Sequence, residues 1–129
     1  MGIGPTHALS NFEIDDICTN LFTNLKYKGC YASDKKPKLN NYECCILNTD
    51  DSKGPGEHWV SLCKSNGRVI IYDSFGRESN DMSNNFANEW VETNKNIEQG
   101  ILEMNCGYRC IVWLICSDIF GSEFVKEII

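Results

Sequence analysis

Long apolar runs are missing from this chain. Its longest, Cys110 to Cys116, covers seven residues, against roughly twenty for a helix that crosses a bilayer, so no membrane-spanning segment is expected. No secretory apolar region follows Met1 either, and the protein is expected not to be secreted. Positive charge is scarce: twelve Lys and Arg stand against eighteen Asp and Glu, a net charge of −6. Apart from Lys35, Lys36 and Lys38 the basic residues are scattered, so attraction to phosphates is weak or local and nucleic acid is not expected as a primary ligand. Imidazole is limited to His7 and His58, and no Cys-x-x-Cys pair occurs among the eight cysteines, so no metal site is expected. In the absence of a signal peptide, those cysteines read as reduced thiols of an intracellular compartment rather than as a disulfide framework.

What is present suits one compact unit. The 129 residues, 42% of them hydrophobic, can bury a sizeable core, and a single domain over residues 1–129 is expected, with residues 1–9 flexible. Ser10-Asn11-Phe12-Glu13 has the spacing of a capping box, and Ile14, Ile17, Cys18, Leu21, Phe22 and Leu25 then recur at helical intervals, which predicts an amphipathic first helix. Residues 26–41, with Gly29, Pro37 and the charged Asp34-Lys35-Lys36, read as a long surface loop. Three strands are predicted over 43–48, 58–63 and 69–73, the last two joined in a hairpin through Asn66-Gly67. Met82, Phe86 and Trp90 predict a second helix over 81–94, and residues 97–99 a short strand. From Cys106 a helix buried on most of its surface is expected, and residues 122–129 are compatible with a short helix or an extended tail. This order describes an α+β fold in which helices flank a mostly antiparallel sheet.

The candidate chemistry falls at the edges of these elements. His58 enters a strand, Asp73 ends its predicted hairpin partner, and Cys106 starts a helix, where unpaired amides and the helix dipole favour the thiolate. Neighbouring antiparallel strands would bring His58 and Asp73 to the same end of the sheet. Taken singly, each has an ordinary structural reading. His58 suits a satisfied strand-end histidine, Asp73 the start of a turn, Cys106 a small core residue and Gln99 a polar loop residue. Cys110 and Cys116 read as packed core thiols. Their joint occurrence favours acyl transfer by a thiol, which needs a nucleophile, a base, a group orienting the base, and donors for an oxyanion.

His58-Trp59, Tyr72-Asp73-Ser74-Phe75-Gly76, Gln99-Gly100 and Cys106-Gly107, in this order and spacing, resemble the successive signatures of the adenain family of viral maturation proteases. Cys45-Ile46-Leu47-Asn48-Thr49 with Gly56-Glu57, and Gly29 with Asp34-Lys35 and Pro37, extend the resemblance over roughly residues 10–118. Such proteases also occur in virophages and share a core with the proteases that process ubiquitin-like proteins. The resemblance implies a papain-like, adenain-like cysteine protease core with Cys106 as nucleophile, His58 as general base and Asp73 orienting it. Gln99 would donate to the oxyanion beside the Cys106 N–H, and Trp59 and Gly107 would line the substrate cleft.

It further implies an endopeptidase that cleaves viral capsid precursors during virion maturation, within the virion or the infected cell, as a monomer without a required cofactor. Two rivals stand beside it: an isopeptidase acting on host ubiquitin-like modifiers, and a binding module that keeps the fold without turnover. The chain also departs from the family. Few residues follow Gly121, and no cysteine lies between Cys63 and Cys106 to take a disulfide-linked activating peptide. Covalent peptide activation is therefore not expected, and the net charge of −6 speaks likewise against DNA activation.

Overall fold

A computed structural model describes residues 9–48, 58–73, 90–93 and 106–128. Helix α1 (Asn11–Cys18) opens with the capping box that its sequence predicts. The Glu13 N–H donates to Ser10 Oγ at 3.1 Å, and the Ser10 N–H donates to Glu13 Oε1 at 3.0 Å, which satisfies two amides that a helix start leaves unpaired. Ile14 and Cys18 form its buried face. The helix ends sooner than its apolar periodicity predicts. Past Asn20, whose φ is 65°, the N–H groups of Thr23, Asn24 and Leu25 donate to the Asp118 carboxylate at 3.1, 2.6 and 2.8 Å. Amides committed to that carboxylate cannot donate along a helix, although Phe22 and Leu25 still pack against the core.

The following segment, expected to be a surface loop, contains a strand. Strand β1 (Lys26–Tyr31) and a 3₁₀ turn over Ser33–Lys35 lie within it. Lysines in the strand and a shift in register between Tyr27 and Cys30, where Gly29 has φ 124°, break the alternation by which a strand is read. Strands β2 (Glu43–Asn48), β3 (Trp59–Ser65) and β4 (Arg68–Tyr72) agree closely with expectation. The pair Ser65 and Arg68 closes on a two-residue turn in which Asn66 and Gly67 have φ of 52° and 77°. A tight hairpin requires positive φ at both positions.

Strand β5 (Trp90–Thr93) replaces the end of the helix predicted over 81–94. Its parallel pairing to Arg68–Ile71 of β4 suits the aromatic and β-branched residues Trp90, Val91 and Thr93 and overrides their helical spacing. The rest of that prediction, and the strand predicted over 97–99, lie outside the described residues. The sheet runs β1-β2-β3-β4-β5. Its inner pairs are antiparallel and both outer pairs are parallel. It is thus mixed rather than mostly antiparallel, because the outer strands belong to segments read as a loop and a helix.

One sheet face, with Cys44, Ile46, Cys63, Ile70 and Tyr72, packs beneath α1 and helix α2 (Cys106–Phe120), which contributes Cys110, Ile111, Trp113 and Leu114. The Tyr72 and Trp113 rings stack at 5.7 Å. The opposite face buries Cys45, Leu47, Val60, Leu62, Val69 and Ile71 around Leu39. Each such side chain contributes about 1.5–3 kcal/mol when fully buried. Helix α2 is buried on most of its surface, as expected, with Val112, Ile119 and Phe120 exposed. After Gly121 the chain forms a short helix, α3 (Ser122–Ile128), so the ending that the sequence leaves open is helical.

Candidate active site

Cys106 is the first residue of α2. Its helix is fixed at one end by Gly107, packed under the N-terminal segment, and at the other by Asp118. A Cβ on Gly107 would lie 3.2 Å from Leu9 Cβ and 3.4 Å from Ile14 Cδ1, so glycine is what lets Leu9 close over the helix start. Leu9, the last residue of the segment expected to be flexible, is buried.

β3 and β4 bring their ends to the same place. His58, just before β3, and Asp73, just after β4, are 3% and 6% exposed. His58 Nε2 and Asp73 Oδ1 are 2.7 Å apart. With Nε2–H given to the carboxylate, Nδ1 is the nitrogen left for a second partner, and that partner is the Cys106 thiol, which hydrogen-bonds to the ring. Three residues distant in sequence therefore form one series of thiol, imidazole and carboxylate. The structure also brings Trp59 and Gly107 beside it. Gln99, expected as an oxyanion donor, and His7, the other histidine, lie outside the described residues.

The electrostatics follow from this order. Burial raises the Cys106 pKa, yet hydrogen bonds to His58 and to the backbone at Trp59 and Gly107, together with the imidazolium charge, outweigh it and hold the thiol below its ordinary value. For His58, burial disfavours the charged ring, but the bonds to Asp73 and Cys106 and their charges raise its pKa overall. A lowered thiol beside a raised imidazole shifts the balance from the two neutral groups toward the thiolate–imidazolium pair. At 7% exposure Cys106 is shielded from bulk water, which strengthens each of these interactions.

Five other cysteines are shifted the opposite way. All eight are free, but burial pushes the thiols of Cys18, Cys30, Cys45, Cys63 and Cys110 above the ordinary range, with Cys18 at about 12. Of these, Cys18, Cys45, Cys63 and Cys110 are buried core residues and Cys30 is half-buried. Among the described residues no group of three or more His, Cys, Asp or Glu is arranged to hold a metal ion, and no helix is long and apolar enough to cross a membrane.

Two contacts at this site were not legible in the sequence. The Trp59 indole N–H donates to the Leu9 carbonyl at 3.1 Å, and the Cys110 thiol donates to the Trp59 carbonyl at 3.3 Å. Leu9 carries no sequence signal for this role. The i, i+4 spacing of Cys106 and Cys110, which sets both thiols on one helix face, is a weak one.

No protein-family model and no curated protein matches the sequence. The fold, however, is similar to a solved one, the selenomethionine crystal structure of the ASFV pS273R protease. The TM-score is 0.56 at 17% sequence identity, with 95% of this chain and 62% of that chain covered. The chain thus shares its α+β fold with that protease. It spans under two thirds of that protein's length.

Proposed function

We propose that this protein is a cysteine endopeptidase that cleaves viral precursor proteins, capsid precursors among them, during virion maturation. The observation that carries the reading is the hydrogen-bonded series from Cys106 through His58 to Asp73. Structural histidines and buried cysteines are common, but a thiol lowered by an imidazole that is itself raised by a carboxylate is the arrangement nucleophilic catalysis needs.

In this mechanism the Cys106 thiolate attacks the carbonyl carbon of the scissile peptide bond. The carbonyl oxygen becomes an oxyanion, which the Cys106 N–H and the Gln99 side-chain amide stabilise; glutamine supplies donors without a charge that would compete for the thiolate. As the carbon–nitrogen bond breaks, the His58 imidazolium gives its proton to the leaving amine, and a thioester remains on Cys106. Neutral His58 then takes a proton from water, whose oxygen attacks the thioester carbon. The carboxylic acid product leaves and the thiolate is restored. Asp73 keeps one His58 tautomer and orientation throughout. Trp59 borders the cleft and restricts it to small residues, glycine foremost, before the scissile bond, while Gly107, expected beside it there, lies under Leu9 and supports the helix start instead. The protein acts as a monomer inside the virion or the infected cell, with no cofactor and no peptide or DNA activator.

Co-expression of the protein with its capsid precursors, followed by sequencing of the particle-protein termini, tests the reading. New termini that vanish with Cys106→Ala are the expected result. Processing that continues with that variant rejects it.

A further inference from the structure

The Cys110 thiol lies one helical turn beyond Cys106, and both thiols meet the same residue of β3. The Cys106 sulfur receives a hydrogen bond from the Trp59 backbone N–H, and the Cys110 thiol gives one to the Trp59 carbonyl at 3.3 Å. In an extended strand the N–H and C=O of one residue point the same way, as in ladder pairing. Trp59 stands opposite Asn48 in the ladder with β2, and on its other side β4 ends at Tyr72, opposite Ser61. The N–H and C=O of Trp59 meet two cysteines of α2.

We propose that Cys110 is a positioning residue, whose thiol, by donating to the Trp59 carbonyl, docks α2 on the end of β3 so that the Trp59 N–H meets the Cys106 sulfur. The proposal rests on the reading of Cys106 as the nucleophile. Three further features support it. Cys110 is fully buried, and burial, with the charge of Cys106 beside it, keeps its thiol protonated and therefore a donor. The Trp59 side chain is held independently, by its indole N–H on the Leu9 carbonyl. Leu9 in turn packs on Gly107, next to the nucleophile. Trp59 is thus anchored through its ring and its carbonyl, and its remaining backbone group, the N–H, is presented to the sulfur. A donor aimed at a thiolate stabilises it only if its position is fixed, because a charge-assisted hydrogen bond weakens steeply with distance and angle.

Among the described residues, the titratable groups around the Cys106 sulfur are His58 from the start of β3, itself paired with Asp73 from the end of β4, and Cys110 from α2. The test is the pH profile of Cys106 alkylation by iodoacetamide, read by peptide mapping, in wild type, Cys110→Ser, Cys110→Ala and Cys110→Val. The serine keeps a donor, the alanine removes it, and the valine removes it while filling the space. With the loss of one fixed charge-assisted bond, the alanine and valine variants react about fivefold more slowly at neutral pH, and their profiles move to higher pH. The serine variant stays within about twofold of wild type, because its hydroxyl replaces the donor.

Circular dichroism identifies which variants are folded, and valine carries the comparison if the cavity left by alanine unfolds the chain. A folded donor-free variant with the wild-type profile overturns the proposal while leaving the enzymatic reading intact. The two failures are distinguishable, since wild-type Cys106 reacting no faster than an ordinary thiol, and unaffected by His58→Ala, overturns the reading and the proposal together.

Discussion

Cys106 and Cys110 sit one turn apart on the same face of α2, both buried, and their thiols are pushed in opposite directions. Burial raises both. The difference lies in the partners: Cys106 has an imidazole backed by a carboxylate and the backbone donors of Trp59 and Gly107, whereas Cys110 has the Ser61 side chain and a carbonyl that it must itself donate to, with no cationic group beside it among the described residues. A reactive thiol is therefore made by the donors around the sulfur and not by its depth in the core.

The strongest way to break this comparison is to remove the reactive member. Cys106→Ala should lower peptide cleavage by about 10⁴-fold or more, measured on a precursor polypeptide, with the circular dichroism spectrum retained. His58→Ala should make Cys106 resemble its neighbour. Without the ring, alkylation of Cys106 near neutral pH should slow by about 10²-fold, with its midpoint moving up toward or beyond the ordinary thiol value of 9.0.

Asp73→Asn acts one step further back. The carboxylate raises the His58 pKa, so its loss lowers that pKa, and the imidazolium that protonates the leaving amine disappears at lower pH. The alkaline limb of the pH–rate profile should move down, the acid limb up, and the maximum rate fall by about 10²-fold. An unchanged alkaline limb would mean that Asp73 does not tune the ring.

The two ends of α2 offer a parallel comparison. At its C-terminal end Asp118 accepts three backbone N–H bonds and, among the described residues, pairs with no Lys, Arg or His, so its role is to hold the fold. Asp118→Ala should cost about 3 kcal/mol in urea unfolding by leaving those amides without their acceptor, while Cys106 in the folded fraction keeps its alkylation profile. Gly107→Ala should have the smallest effect, about 1 kcal/mol, as Leu9 shifts to admit a methyl group.

Much of the site was legible in the sequence because its residues stand at punctuated positions. The Asn66-Gly67 turn fixes the β3–β4 hairpin, and the hairpin alone brings His58 and Asp73 to one end of the sheet. The glycine after Cys106 and the apolar run behind it mark a helix start on the core. The outer strands were not legible. β1 alternates lysine with half-buried residues around a glycine irregularity, and Trp90 falls at helical spacing from Phe86 although its segment pairs with β4. Both gain their identity from a neighbouring strand, which local periodicity cannot convey. The early end of α1 has the same kind of cause: a carboxylate ninety-four positions from Asn24 takes the amides that the helix would have used.

Competitive alkylation of the folded wild-type protein near neutral pH, with each cysteine resolved by peptide mapping, tests the central claim most directly. Cys106 should be modified first and faster than an unperturbed thiol, and Cys110 last or not at all, with the advantage of Cys106 abolished by His58→Ala. A Cys106 that reacts no faster than the unperturbed thiol, or keeps its rate without the imidazole, would contradict the account.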